Sequence, residues 1–329
     1  MDARLTDEQR SVRDTAARMA QKSATTTVDG LGKTGSADRL ARDLVASGFT
    51  ELRASDATGV EVALVAEQLA SAAAEASFVG PTLAADLCRR AGVGAPSSCT
   101  IALTGDLARL ATQHELPAAV AFDSATVSRA LYLTPSGEKF GLASVPVGAG
   151  AGAVDLTRPL AQLSQEDSVE LAGVALSADD IAAWRAFGHA VLSADLLGSA
   201  RAAHLATVAY ASGRTQYGRP VASFQAVQHL LAESLVLLEG AQSAVSYASW
   251  AVDAEPTATA ADTALVSKLY CTSAARTISE IAIQVHGGIG NTWECMVHIH
   301  LRRALLAGQV LGDEGALMEE LIEHRLRAA

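Results

Sequence analysis

Long segments with helical apolar periodicity dominate the second half of the chain and constrain its fold most strongly. After Phe224 the apolar positions recur at the i, i+3, i+4, i+7 spacing of a helix with one buried face, at Val227, Leu230, Leu231, Ser234, Leu235, Leu238 and Ala241. The pattern as a whole predicts helical segments at Asp179–Ser212, Phe224–Asp253, Thr259–His286, Cys295–Leu311 and Gly315–Arg327. Because only a short break at Glu255–Pro256 separates two of them, antiparallel packing into a helical bundle is predicted.

Two polar stretches interrupt this bundle. The first, RTQYGRPVASFQ at Arg214–Gln225, supplies a planar cationic fork suited to phosphate at Arg214. Pro220 ends any preceding helix, so the stretch is predicted to be a helix–turn–helix junction. The second, QVHGGIGNTWE at Gln284–Glu294, contains three glycines, Gly287, Gly288 and Gly290. Their bare backbone allows a ligand or another chain to approach closely.

The composition favours a helical protein and excludes some partners. Half of the 329 residues are apolar but only 4% are aromatic, which favours close-packed helices over sheets. The net charge of −11 argues against a nucleic-acid partner, which requires a basic face. An apolar run of eighteen residues and a signal-peptide pattern are both lacking, so we expect a cytoplasmic protein that does not bind membranes.

Helices are also predicted in the first hundred residues. Thr6 and Gln9 form a capping box in front of a helix that should end near Ser23. Further helices are predicted at Ser36–Ser47, Gly59–Ser77 and Pro81–Arg90, with Pro81 in the favoured first turn.

The middle of the chain has the sequence pattern of a small β domain. Short apolar runs separated by Gly, Pro, Asp and Ser predict strands at Thr100–Leu103, Ala118–Phe122, Arg129–Leu133 and Gly141–Pro146. The chain is therefore predicted to be mainly α with a central small β domain. Its predicted domains are residues 1–98, 99–176 and 177–329.

Cysteine and histidine usage does not predict a metal site. The cysteines, Cys88, Cys99, Cys271 and Cys295, occur in no CxxC or CxxH spacing and are interpreted as buried, inert thiols. His298 and His300 are two residues apart, so on a helix they would point to different sides.

The combination of these motifs resembles the acyl-CoA dehydrogenase family of flavoproteins. The resemblance is carried by the α, β, α order, by R-x-Q-Y-G-R-P-x-x-S-F-Q-A-V-Q-H at 214–229, and by Q-V-H-G-G-I-G-N-T-W-E followed by L-R-R-A at Leu301. It is strong over residues 190–312 and weak across the middle domain.

The resemblance implies that both stretches hold the FAD of a neighbouring chain. Arg214 would lie against the pyrophosphate. The adenosine side would be lined by Gln216, Phe224 and Gln225. The ribityl and adenine portion would be covered by Gln284, Gly287 and Gly288.

The same resemblance implies a reaction for which this chain lacks the usual base. In the family a carboxylate removes the α-proton of an acyl-CoA thioester while hydride leaves the β-carbon for the flavin. The commonest position of that carboxylate falls on Leu311, and the alternative position falls on or near Gly188. Asp195 is the nearest carboxylate and a weak candidate, whereas Glu294 is better suited to orienting backbone. We predict no catalytic residue in this chain.

The middle domain departs from the family as well. In the family, a strand and loop that end in a threonine and an acidic residue hydrogen-bond the flavin ring, and a Trp-x-Ser/Thr segment follows; we call the first part the flavin-ring motif. Ile101–Gly105 resembles this motif only weakly, and no tryptophan precedes Asp180. A chain that lacks both the base and the flavin-ring motif resembles a subunit of the two-gene acyl-CoA dehydrogenases of actinobacterial steroid side-chain degradation, which are α2β2 heterotetramers. This implies a homologous catalytic acyl-CoA dehydrogenase subunit as partner, an acyl-CoA substrate, and electron-transfer flavoprotein or a similar acceptor. Two alternatives stay open: a self-sufficient homotetramer that uses Asp195, and a flavin-free helical scaffold.

Overall fold

The structure, a computed structural model, describes residues 4–33, 35–55, 57–96, 98–164 and 166–328. Met1 and Ala329, the outer ends of the predicted first and third domains, lie outside these ranges. Within the ranges, a small sheet lies between an N-terminal and a C-terminal helical part. The mainly α fold with a small central β region is confirmed, while the domain boundaries at 98 and 176 stay predictions.

The N-terminal part is helical, as predicted. Its helices are α1 Asp7–Ser23, α2 Ser36–Ala46, α3 Gly59–Ser71 and α4 Val79–Arg90. The predicted capping box at the start of α1 is present, since the Thr6 side chain accepts from the backbone N–H of Gln9 and the Gln9 side chain accepts from that of Thr6.

Two predicted helix ends in this part were wrong. The third helix ends at Ser71 and not at Ser77, because Ala73 takes a left-handed conformation with φ of 48° that a helix does not continue through. The fourth helix begins at Val79, ahead of Pro81. Its start is fixed by the Asp123 carboxylate, which accepts hydrogen bonds from the N–H groups of Phe78 and Gly80.

The central sheet contains the predicted strands and two that the sequence did not reveal. Its strands are β1 Cys99–Leu103, β2 Val120–Ala121, β3 Arg129–Ser136, β4 Lys139–Gly150, β5 Ala161–Leu163 and β6 Val169–Leu176. They are ordered β3-β1-β2-β5-β4-β6, and β3 also pairs with β4. The unpredicted strands are β5, which has three residues, and β6, which is mostly exposed and therefore lacks a clear apolar alternation.

The C-terminal part is the predicted bundle. Its helices are α5 Ala178–Gly213, α6 Gln225–Ala254, α7 Thr257–His286, α8 Val297–Gln309 and α9 Glu314–Ala328. Between α5 and α6 the chain forms a short hairpin of β7 Thr215–Gln216 and β8 Arg219–Pro220, so the junction is not a simple helix–turn–helix. This hairpin reverses the chain between α5 and α6, and the short Glu255–Pro256 connection reverses it again between α6 and α7. Helices α5 and α7 therefore end on the same side of the bundle.

Helix α5 lies at the centre of the molecule. Every residue from Ala186 to Ala200 is buried. A Cβ built on Gly198 would lie 2.1 Å from the carbonyl oxygen of Glu67, so the glycine permits close packing of α5 on α3. Despite its length, neither α5 nor any other helix in the described ranges is apolar enough to span a bilayer.

The cysteines and the paired histidines have structural surroundings. Cys88, Cys99 and Cys271 are buried free thiols, and burial raises their pKa values to about 11, 12 and 12. The Nε2 atom of His298 lies 3.1 Å from the carbonyl oxygen of Thr292, and Nδ1 of His300 lies 3.1 Å from Ser199 Oγ. Among the described residues there is no cluster suited to a metal ion.

Candidate functional site

The two polar stretches begin side by side at one end of the bundle. Tyr210, in the last turn of α5, stacks on His286, the last residue of α7, with ring centroids 4.2 Å apart. The Tyr210 hydroxyl also donates to the carbonyl oxygen of His286 at 3.4 Å. The ends of α5 and α7 are therefore in direct contact, and we call the surface formed by Arg214–Gln225 and Gln284–Gly288 the bundle-end face.

The first stretch is held by its backbone and leaves its side chains exposed. The N–H of Arg214 donates to Tyr210, and that of Val221 donates to Arg214, each at 2.8 Å. Arg214 and Gln216 are exposed, and Tyr217 at the hairpin tip is 94% exposed. No described residue accepts a hydrogen bond from the Arg214 guanidinium, which is thus available to an external anion.

The start of α6 adds positive potential to the same surface. Phe224 precedes the helix and its side chain has no atom that could cap it. The N–H groups of Val227 and Gln228 donate to the Phe224 carbonyl oxygen, so those of the exposed Gln225 and Ala226 are left for an outside acceptor. The Arg219 guanidinium lies 4.2 Å above the ring of the half-buried Phe224. Guanidinium groups beside free helix N–H groups suit a phosphate or diphosphate.

The second stretch presents bare backbone. Gly287 has φ of 65° and ψ of −144°, a conformation essentially restricted to glycine. A Cβ on Gly287 or Gly288 would meet no atom of this chain within 4 Å. Gln284 is exposed beside them. Packing within the chain therefore does not require Gly288, and the open surface can admit an outside group.

The two positions expected for a catalytic carboxylate face each other inside the protein. A Cβ on Gly188 would lie 2.5 Å from Leu311 Cδ1 and 3.5 Å from Leu83 Cδ2. Leu311 and Leu83 are fully buried. The Leu311 carbonyl accepts from His189 Nε2 at 3.0 Å, and its N–H donates to the carbonyl oxygen of Leu107 at 2.9 Å. Apolar side chains fill this space, which we call the closed region.

Asp195 is fully engaged by two arginines. Its carboxylate accepts two hydrogen bonds from Arg158, at 3.0 and 2.7 Å, and two from Arg303, at 3.2 and 2.7 Å. Burial alone would raise the pKa of Asp195, but the two guanidinium groups outweigh it and hold the pKa far below its usual range. A carboxylate held this way is a poor proton acceptor.

Other candidate groups are also used within the chain. The Thr104 hydroxyl, in the faint flavin-ring motif, donates to Asp106 at 2.6 Å and accepts from the N–H of Arg109 at 3.3 Å. Glu294 is exposed, and its carboxylate lies 3.4 Å from the Thr292 hydroxyl.

Sequence reasoning missed the buried charges around Asp195. Arg158 lies in a loop before β5 that has no recognisable motif. Arg303 belongs to the L-R-R-A run noted above, which gave no indication of its partner. Its guanidinium also donates to Thr157 at 2.8 Å.

Comparison with known proteins agrees with this fold. Residues 185–328 match the acyl-CoA dehydrogenase C-terminal domain family. Acyl-CoA dehydrogenase IpdE2 of Mycobacterium tuberculosis is 35% identical over 168 residues, which are 51% of this chain and 48% of IpdE2. The C-terminal helical part of this chain is therefore similar to the C-terminal domain of acyl-CoA dehydrogenases.

Solved structures extend the likeness over the whole acyl-CoA dehydrogenase fold. The steroid ACAD Tcur3481-Tcur3483 superposes with a TM-score of 0.83 at 20% identity, covering 98% of each chain. The ChsE4-ChsE5 complex from Mycobacterium tuberculosis superposes with a TM-score of 0.80 at 20% identity, covering 100% of each. At these identities the structures establish the fold. The sequence match to IpdE2 spans 48% of that protein's length.

Proposed function

We propose that the chain is a subunit of an FAD-dependent acyl-CoA dehydrogenase that contributes cofactor-binding residues to a homologous catalytic partner. One contrast carries the proposal. Arg214, Gln216, Gln225 and Gln284 of the bundle-end face are exposed and suited to a dinucleotide, whereas the closed region is filled by the side chains of Leu311 and Leu83 and has no carboxylate at either expected position. An α2β2 heterotetramer accommodates both facts.

The residues of the bundle-end face fit FAD in chemical type. Arg214 and the first N–H groups of α6 would bind the diphosphate. Gln216, Phe224 and Gln225 would line the adenosine side. Gln284, Gly287 and Gly288 would border the ribityl and adenine portion. FAD, when bound, accepts the hydride that leaves the β-carbon of the acyl-CoA.

The partner would supply what the closed region lacks. Its carboxylate would remove the α-proton of the thioester, and its own pocket would hold the acyl group. Two of the structural neighbours are named as a steroid ACAD and as a two-component complex, which supports a polycyclic acyl-CoA and a heteromeric assembly by analogy. Electron-transfer flavoprotein or a similar acceptor, and a cytoplasmic location, complete the proposal.

The absorbance spectrum and native mass of the chain test this directly. We expect a colourless protein when it is purified alone. Co-purified with a homologous dehydrogenase encoded beside it, it should give a yellow heterotetramer with about one FAD for each pair of chains. A yellow, active homotetramer of this chain alone would overturn the proposal, and a colourless complex with every such partner would favour a scaffold.

A further inference from the structure

A cavity bordered by Arg201 of α5 is not explained by the proposed function. It has a volume of about 760 Å³ and lies between α1, α3 and α6. Its walls are largely apolar and include Val60 and Leu64 from α3 and Val245 and Trp250 from α6. A volume of this size is typical of sites that enclose a drug-sized molecule. None of its lining residues belongs to the bundle-end face or the closed region.

Polar groups lie at its floor. Glu67 lines the cavity although it is only 7% exposed. Arg201 Nε donates to Glu67 Oε1 at 2.9 Å, and the Arg201 guanidinium also donates to the Gln242 amide oxygen. Among the described residues, Glu67 Oε2 and Arg201 Nη1 have no hydrogen-bond partner. The floor can therefore donate to and accept from a single hydroxyl group of a ligand, or donate from Arg201 to a keto oxygen.

Four charged residues line the cavity, Arg4, Arg13, Glu67 and Arg201, and the charges at its floor are balanced. Arg201 is paired with Glu67, and Arg13 at the mouth is paired with Asp14 at 2.8 Å. An anion would have to compete with these carboxylates, so it would gain little. Burial raises the pKa of Glu67 although Arg201 opposes the shift, so a second negative charge beside it is unfavourable. The arginines of the lining, Arg4, Arg13 and Arg201, disfavour a cation. The surroundings suit a neutral molecule.

We propose that this cavity is a binding site for a neutral, largely apolar molecule with one oxygen at the floor, either a hydroxyl that bonds to both Glu67 and Arg201 or a keto group that accepts from Arg201. Its apolar body lies between α3 and α6 against Trp250, where removal of apolar surface from water drives binding. The oxygen at the floor sets the orientation. The site is independent of FAD binding and of dehydrogenase activity.

Fluorescence titration with Prodan, a neutral naphthalene ketone, tests the proposal on the full chain as purified. We expect a saturable blue shift with a dissociation constant on the order of 10 μM. Plugging the cavity from either wall, with Ser246→Trp on α6 or Leu64→Trp on α3, should weaken binding at least tenfold. Ala258→Trp, at an exposed site at the start of α7, is the matched control and should bind as the wild type does.

A pair of competing ligands tests the hydrogen bond at the floor of the cavity without any substitution in the protein. Displacement of Prodan by 2-acetylnaphthalene should be at least fivefold tighter than by 2-ethylnaphthalene, which has nearly the same shape but lacks the oxygen. We call Ser246→Trp and Leu64→Trp the plug variants. Thermal melting shows whether each plug variant folds, and if one does not, the binding measurement on the other decides the test. The proposal is overturned if the wild type shows no saturable shift, if a folded plug variant binds as tightly as the wild type, or if the two naphthalenes compete equally.

Discussion

The closed region and the bundle-end face both contain positions for which the sequence predicts a functional role. Those of the closed region are buried, whereas Arg214 of the bundle-end face is exposed. In the closed region, Leu311 and Gly188 pack against each other, and two turns further along α5 Asp195 is bound by Arg158 and Arg303. At the bundle-end face, Arg214 extends into solvent. The groups around Leu311 and Asp195 make their interactions within the chain, whereas the Arg214 guanidinium has no partner among the described residues.

This difference separates two kinds of evidence for function. A buried charged group needs partners to be stable at all, so the engagement of Asp195 says little about catalysis. An exposed arginine and an open glycine backbone require no internal partner, so their placement together with free helix N–H groups points to a ligand. Each prediction below changes one side of this comparison.

The largest effect is expected from Asp195→Asn. The substitution leaves two buried guanidinium groups without their shared counter-ion, and we expect the free energy of unfolding at pH 7 to fall by about 3–5 kcal/mol. Urea denaturation measures it, with Glu239→Gln at an exposed site of α6 as the control. Because the folded pKa of Asp195 is depressed, its contribution is complete above the unfolded pKa of about 3.9. It is lost as the pH falls from there toward the folded value.

The same variant tests the homotetramer hypothesis. If Asp195 were the base, turnover in the reconstituted enzyme would collapse even under conditions in which the variant is folded. We expect turnover to be retained. A loss of stability below about 1 kcal/mol would show that the arginines find other partners and that the Asp195 ion pairs do not hold this part of the core together.

The next largest effect is expected from Arg214→Ala. Truncating one partner of a desolvated charged contact typically costs about 2–5 kcal/mol in binding. Flavin occupancy of the assembled complex should therefore fall strongly, while the melting temperature of the chain stays unchanged because the side chain is exposed. Arg18→Ala on α1 removes an equally exposed charge elsewhere and should leave the flavin in place. Full flavin retention in Arg214→Ala would remove the main support for the interface role.

The sequence predicted the bundle better than the sheet for a physical reason. Helix α6 has many apolar positions on one face, so its pattern is evident over thirty residues. Strands β5 and β6 are short or exposed, and their pairing depends on residues distant in the chain. The end of α3 was also missed, because Ala73 takes a left-handed conformation for which alanine gives no signal.

The candidate site was predictable where a local motif carries it. The Gly287 and Arg214 stretches could be recognised from residue order alone. The closure of the space between Gly188 and Leu311 could not, because it depends on the packing of Leu83 from another helix. The Asp195 pairs with Arg158 and Arg303 join residues 37 and 108 positions apart. No pattern within one element predicts such long-range contacts.

Smaller effects are expected from the two glycines. Gly287→Ala forces a side chain into a conformation that costs about 1–3 kcal/mol, so both stability and flavin retention should decrease. Gly288→Ala meets open space within the chain and should leave the melting temperature unchanged. It should nevertheless lower flavin occupancy if an outside group approaches that backbone. Equal flavin content in Gly288→Ala and the wild type would indicate that the cofactor does not reach this turn.

The smallest effect is expected where the two stretches are joined. Tyr210→Phe keeps the ring stacked on His286 but removes the hydroxyl that donates to the His286 carbonyl oxygen. Loss of one such hydrogen bond costs about 0.5–1.5 kcal/mol, so flavin affinity should fall about two- to tenfold. Tyr247→Phe, in a half-exposed stack on Trp250, is the control. If Tyr210→Phe lowered the melting temperature but left flavin affinity unchanged, the contact would stabilise the bundle without aligning the bundle-end face.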